Sequence, residues 1–332
     1  MMAWRRTAAR ACNVVAIVLG VALGVSPLTG CETNPTTGRS QAIIFSWADE
    51  VALGTQETPK MVQEFGGEVA RADLREYVSR VGMSMAATTG QDDPVLGQLP
   101  WEFKLLNSPV ANAFALPGGK VFMTVGLASK MTNEAQLAGV LGHEIGHVAA
   151  RHANERIASG TYAQMGLAIG GALLGGSEVG QIAAQIAEQG AGFWLLSYGR
   201  DQENESDALG LRYMTRVGYD PLGQYQVMQI LAKMEQQGRP PEFLSTHPYP
   251  EKRMENIAGK IQGEYAHTQG NPQFSLREAE FRANFLSKLA AAYPADQWDD
   301  ADHALALASV GMGCGHTSER AAERCARPHA GN

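Results

Sequence analysis

The stretch Leu141-Gly142-His143-Glu144-Ile145-Gly146-His147 places two histidines four residues apart, with a glutamate directly after the first. At about 100° per residue, both imidazoles fall on one helical face a turn apart, with the carboxylate beside them. Two neutral imidazoles so arranged can hold one zinc ion, and a catalytic zinc keeps a further position open for water. A neighbouring carboxylate can orient and deprotonate that water. His143 and His147 are therefore candidate metal ligands, and Glu144 is the candidate general base. A third ligand is expected in Arg200-Asp201-Gln202-Glu203-Asn204-Glu205-Ser206-Asp207. On a helix, Glu203 and Asp207 share a face one turn apart, whereas Glu205 points about 200° away from Glu203. Glu203 is the expected ligand. Asp207 would accept the spare ring N–H of a metal-bound histidine and so fix its tautomer. A solvated acidic helix start is the competing account of these two carboxylates.

The elements that must position these groups are readable from periodicity. Residues from Trp47 to Phe65 and from Glu68 to Ala87 carry helical spacing, the second with Val69, Leu74, Tyr77, Val78 and Val81 as an apolar stripe. Trp101–Leu106 alternates as a strand, and Asn112–Met123 reads as two short strands about a Pro117-Gly118-Gly119 turn. That hairpin could be scaffold, or it could offer a sheet edge to which an extended peptide adds. Asn133 with Gln136 resembles a capping box opening the helix of His143. Helical spacing returns from Arg200 through Val217, and again after Asp220-Pro221 to about Gln236. After Ser245–Pro250, a helix is expected near Glu251. Another opens at Ser275-Leu276-Arg277-Glu278, with Phe281, Phe285 and Leu289 on its apolar face. Gly160–Trp194 is rich in glycine and alanine. It reads as a pair of small-residue helices over the cleft, or as a surface for lipid or an unfolded client.

At 45% hydrophobic and 18% charged, the 332 residues suit one large folded domain. Arg5, Arg6 and Arg10 precede an uncharged apolar run from Val14 to Val25, the layout of a secretory signal. Leu28-Thr29-Gly30-Cys31 resembles a bacterial lipobox, making Cys31 the expected lipid-modified N-terminus. A plain signal peptide or a short anchor helix would also fit. Cleavage before Cys31 removes three Arg and no acids, taking the formal charge from -7 to -10, which disfavours nucleic acid as a partner. Of the cysteines, Cys314 and Cys325 then remain for a disulfide, or with His316 and His329 for a second small metal site. The expected organisation is a signal over 1–30, a tether over 31–45, a zinc domain over 46–265 and a helical C-terminal extension over 266–332.

HEIGH followed by Val148-Ala149-Ala150-Arg151-His152, then Glu203-x-x-x-Asp207, then Ser245-Thr246-His247-Pro248, resembles one metallopeptidase family. These are the gluzincins related to prenyl-protein endopeptidase and HtpX, and within them the periplasmic lipoprotein proteases of the BepA and LoiP type. The resemblance spans residues 40–265. It implies an α+β, mostly helical, zincin-like domain with a small β-sheet that bears an edge strand beside the active-site helix. One Zn2+ per chain would be bound by His143, His147 and Glu203, with Glu144 as base. Asn112, Ala113, Phe114 and Ala115 match the family's substrate-binding edge. The resemblance adds His247, which can approach the metal as a further ligand and close the site. Physically it could instead donate to an oxyanion, or simply be packed for structure. Arg253 is similar to a family arginine that arranges this region, although a surface salt bridge explains it nearly as well. Two departures stand out: no 34-residue repeat is seen after position 265, and none of the several membrane spans of the prenyl proteases is expected after the signal. The implied function is a lipid-anchored periplasmic zinc endopeptidase, placed by Glu32 after Cys31 at the inner leaflet of the outer membrane. Its substrates would be unfolded or misassembled envelope proteins. The rival from another class is a chaperone-like assembly factor with a structural or closed metal site.

Overall fold

The computed structural model describes residues 31–160, 195, 197–238 and 241–293. Two short strands, β1 (Cys31–Thr33) and β2 (Ser40–Ala42), precede helices α1 (Trp47–Glu64) and α2 (Ala72–Ala86). Strands β3 (Glu102–Leu106), β4 (Ala113–Leu116) and β5 (Lys120–Thr124) come next, followed by a single turn at Val125–Ala128 and helix α3 (Glu134–Ala149). Residues 152–160 are helical. The second half supplies α4 (Arg200–Arg216), α5 (Leu222–Gln236), the short α6 (Glu242–Thr246) and α7 (Pro250–Gln262). The molecule is a mostly helical α+β domain, as the sequence implies.

Local chemistry starts and stops these elements. Asn133 Oδ1 accepts from the Gln136 N–H at 2.9 Å and so starts α3. The reciprocal half of the expected capping box is displaced by one residue, because Gln136 Oε1 accepts from the N–H of Thr132 at 2.7 Å. In the sheet, the order is β3-β5-β4, with β3 parallel and β4 antiparallel to β5. This leaves β4 at the edge, and the hairpin is turned by Gly118 and Gly119 at φ +73° and +89°. All of β4, β5 and α3 is buried. The sheet separates a small cluster containing Met61, Phe65, Phe114 and Phe122 from the main core, to which the expected α2 stripe contributes Leu74, Tyr77, Val78 and Val81.

Glycines set how near α3 and α4 come. A Cβ on Gly146 would lie 2.7 Å from Ser206 Oγ and 2.8 Å from the Ser206 carbonyl oxygen; on Gly210 it would lie 3.0 Å from the His143 nitrogen. Ser206 Oγ uses the contact to donate to the His143 carbonyl. The two helices that carry the candidate ligands therefore touch backbone to backbone.

Residues 31–45 differ from the expected tether. Strands β1 and β2 pair antiparallel. Between them, Asn34 is buried, accepts from Thr36 N–H at 2.9 Å and donates to the Ala149 carbonyl at 3.0 Å. That carbonyl lies at the C-terminus of α3, where helix carbonyls need outside donors. A composition of turn formers describes a folded Asx turn as well as a loose linker. The expected cap at Ser275 is also corrected: Ser275 Oγ accepts from Arg277 N–H at 3.2 Å, and the helix begins only at Glu278. Glu278–Phe281 runs on through a π-helical turn, Arg282–Leu286, into Ser287–Ala292. Phe281 and Phe285 pack on Tyr77, so this segment belongs to the same core as residues 46–265. The signal segment 1–30, residues 161–194, Cys314 and Cys325 lie outside the described residues. Among the described residues, no helix is long and apolar enough to cross a membrane.

Candidate active site

Helix α3 brings His143, Glu144 and His147 to the centre, α4 brings Glu203 and Asp207, the loop after α6 brings His247, and α7 brings Arg253. One ligand atom from each of His143, His147, Glu203 and His247 lies within 4.8 Å of all the others, and all four residues are buried. His143 Nε2 is 3.0 Å from His147 Nε2 and 3.2 Å from His247 Nδ1. Glu203 Oε1 is 3.5 Å from His147 Nε2 and 3.0 Å from His247 Nδ1.

The protonation states decide what this cluster can hold. Asp207 Oδ1 lies 2.9 Å from His143 Nδ1. A carboxylate only accepts, so the ring proton sits on Nδ1 and Nε2 presents a lone pair to the cluster. Burial, reinforced by the Arg253 charge, pushes His143 down to about 4, and burial holds His147 well below its ordinary range. Burial opposes ionisation of Glu203, but His247 and Arg253 outweigh it and keep the carboxyl well below the usual range. The Nε2 lone pair of His143 and the Glu203 carboxylate thus face one point. That donor set, two neutral imidazoles and a carboxylate with a further imidazole in reach, fits zinc.

Glu144 is fully buried, and neither carboxylate oxygen has a hydrogen-bond partner among the described residues. His247 Nε2 approaches it to 3.5 Å. Burial pushes Glu144 up to about 7, against the opposing pull of His247. A carboxylate of that basicity beside the ligand cluster suits proton transfer near neutral pH.

Arg253 is buried, which rules out the surface salt bridge that its sequence context left open. Its Nε and Nη2 donate to Asp207 at 2.7 and 2.8 Å, and its Nη1 lies 2.7 Å from Glu203 Oε2. Nη1 also donates to the His247 carbonyl at 3.3 Å, so one guanidinium ties both acidic residues of α4 to the His247 loop. Although burial opposes it, this pairing lowers Asp207 to about 2.

Asn112, Ala113, Phe114 and Ala115 are all buried. Phe114 stacks on Phe122 at 4.8 Å, on one side of the sheet, while Ala113 and Ala115 belong to the core on the other. What this strand can offer a peptide is its backbone. A small cavity beside the end of β4 is lined by Ala115, Leu116, Pro117, Arg151 and Tyr198, with His147 on one side. Cys31 appears only as the first residue of β1.

Several residues here were not anticipated from spacing. Gln224 on α5 donates to Asp207 Oδ1 at 3.0 Å. Tyr198 stacks its ring on His147 with centroids 4.0 Å apart. His152 sets its Nδ1 2.8 Å from His147 Nδ1, and Glu205, turned away from Glu203 as helical geometry requires, meets His152 Nε2 at 2.9 Å. Only His152 left a signal in the sequence, five residues beyond His147.

Residues 73–261 match the model of peptidase family M48. Mitochondrial metalloendopeptidase OMA1 of Schizosaccharomyces pombe is 32% identical over 237 residues, 70% of this chain and 67% of that protein. Its namesake in Saccharomyces cerevisiae is 33% identical over 244 residues, covering 69% of each. The beta-barrel assembly-enhancing protease of Escherichia coli (strain K12) is 29% identical over 233 residues, 67% of this chain and 46% of that protein, so the chain spans about half the length of that relative. Since the matched residues enclose the whole constellation from His143 to Arg253, the chain belongs to peptidase family M48 and is a zinc metalloendopeptidase.

Proposed function

We propose that this peptidase acts in the bacterial envelope, anchored through a lipid on Cys31 at the inner leaflet of the outer membrane, and degrades misfolded or misassembled envelope proteins. The observation that carries the catalytic assignment is Glu144, a buried carboxylate whose oxygens have no hydrogen-bond partner among the described residues, beside the four-residue ligand cluster. An extended segment of substrate would pair with β4, whose buried side chains leave backbone groups to select for unfolded chains rather than for a sequence. His143, His147 and Glu203 would hold zinc, which would supply Lewis acidity toward a peptide carbonyl and toward water. Glu144 would take the proton of the attacking water and pass it to the leaving amine. His247, within reach of both Glu203 and Glu144, would close the site at rest and withdraw when substrate enters. Arg253 and Asp207 would hold His143 and Glu203 in place throughout.

The location rests on sequence features. Among the relatives' names, one refers to mitochondria and another to β-barrel assembly in a bacterium. The Arg-rich start, apolar run and Leu28-Thr29-Gly30-Cys31 favour the bacterial envelope. The second reading, an assembly factor that binds clients behind a closed metal site, draws on the position of His247 as a fourth ligand. Cells relying on Glu144→Gln separate the two. The protease reading expects misassembled envelope proteins to accumulate as they do without the gene, whereas normal assembly would favour the client-binding reading. Loss of lipid labelling in Cys31→Ala and recovery of the wild type with outer membranes would support the anchor; an inner-membrane location would count against the placement.

A further inference from the structure

Helix α3 ends at Ala149, and two residues later Arg151 adopts the left-handed backbone conformation at φ +56°. A non-glycine residue held there needs surrounding contacts to fix it. Arg151 Nε donates to Glu50 at 2.8 Å, its Nη1 donates to Glu32 at 3.1 Å, and its guanidinium lies 4.4 Å from the Trp47 ring centroid. This reversal carries His152 back against the helix it has just left. His152 is fully buried, with Nδ1 2.8 Å from His147 Nδ1 and Nε2 2.9 Å from Glu205 Oε2. Glu205 Oε2 also accepts from Arg39 Nε at 3.1 Å, and Arg39 pairs as well with Glu155.

The direction of this chain of bonds follows from the carboxylate. Glu205 can only accept, so its contact puts a proton on His152 Nε2. Two Nδ1 atoms 2.8 Å apart need one proton between them. For His147 to turn a lone pair on Nε2 toward His143 Nε2 and Glu203, that proton has to sit on His147 Nδ1, with His152 Nδ1 as its acceptor. We infer that His152 is a positioning residue that fixes the metal-binding tautomer of His147, with Glu205 and Arg39 fixing His152 in turn. The inference rests on the zinc site described above. It gives the two histidines of the motif different supports: a carboxylate, Asp207, for His143, and an imidazole for His147. Because Arg39 belongs to the N-terminal arm that replaced the expected tether, that arm is part of the support of the metal centre.

The test is zinc affinity of the full chain, measured by chelator competition, with the tautomer of His147 read from long-range proton–nitrogen correlations. His152→Leu removes the acceptor, and outer hydrogen-bond partners of this kind typically contribute ten- to a hundredfold in metal affinity. A loss of that size is expected. His152→Asn places a carbonyl oxygen near the former Nδ1 and should recover most of the affinity. His152→Gln places its amide nearer the former Nε2, restoring the link to Glu205 but not to His147, and should remain weak. Zinc binding by His152→Leu within twofold of wild type would overturn the inference. Should that variant fail to fold, the two polar variants decide, and equal or stronger binding by His152→Gln than by His152→Asn would overturn it. A wild-type chain that binds no zinc would instead sink the metal site itself, whatever the variants do.

Discussion

His247 touches both carboxylates of the site: its Nδ1 lies 3.0 Å from Glu203 Oε1 and its Nε2 lies 3.5 Å from Glu144 Oε1. Four protein ligands make a zinc site closed, while catalytic sites use three and leave a position for water. His247→Ala should therefore keep stoichiometric zinc through His143, His147 and Glu203, and cleave an unfolded protein severalfold faster than wild type. A fall to the level of a variant lacking Glu144 would instead assign His247 to oxyanion stabilisation.

Arg253 neutralises two buried carboxylates at once. Removing one partner of a buried ion pair costs about 3–5 kcal/mol because the other charge remains. Arg253→Leu is expected to lose that much stability in urea unfolding with zinc chelated, and zinc should narrow the deficit by supplying positive charge beside Glu203. Arg253→Lys should rescue little, since an ammonium cannot make the two parallel bonds to Asp207. Equal stability of Arg253→Leu and wild type without zinc would contradict the pairing.

Gly146 lets α4 approach the metal helix to backbone contact. Overpacking of such a contact costs about 1–3 kcal/mol. Gly146→Ala should show that loss on thermal unfolding together with weaker zinc binding, because Glu203 moves away with α4. Gly259, where an added Cβ meets nothing within 4 Å, is the control: Gly259→Ala should be neutral or stabilising. Unchanged zinc affinity in Gly146→Ala would separate the helix contact from the ligand geometry.

The parts of this arrangement that are legible in the sequence are those set by local helical spacing. His143 with His147, and Glu203 with Asp207, share faces because 3.6 residues make a turn, and the structure brings both pairs to one place. Gln224 and Tyr198 arrive from another helix and a loop, for which no local period exists. His152 is brought back by a single left-handed residue, Arg151, held by Glu50 and Glu32 from far along the chain. Turn-forming composition is the same whether or not the turn is docked, so the sequence around Asn34 suits a tether as well as the docked turn that donates to the Ala149 carbonyl. The hairpin of β4 and β5 was readable because Pro117-Gly118-Gly119 sits between two apolar runs. Its edge position depends on β3 pairing parallel with β5, a non-local contact.

Away from the metal, Glu134 is a buried carboxylate that accepts from Tyr77, from Tyr219 at 2.7 Å and from Arg277 at 2.9 Å. Burial raises its pKa, but these hydrogen bonds and the charge of Arg80 outweigh that and hold it below the ordinary 4.5. A depressed folded-state pKa stabilises above the unfolded value and ceases to do so as pH falls through the folded one. Glu134→Gln should therefore cost about 1.5–3 kcal/mol at neutral pH, the scale of hydrogen bonds to a charged group. The gap between wild type and variant should close as pH is lowered below 4.5. A gap independent of pH would contradict the depressed value.

The most direct measurement of the central claim is the rate at which zinc-loaded wild type and Glu144→Gln hydrolyse an unfolded protein, with bound zinc counted in the same samples. General bases contribute roughly a hundred- to ten-thousandfold. The expected result is one zinc per chain in both proteins and a rate loss of that size in the variant. Equal rates with equal zinc would contradict the assignment of Glu144 as the base that activates water.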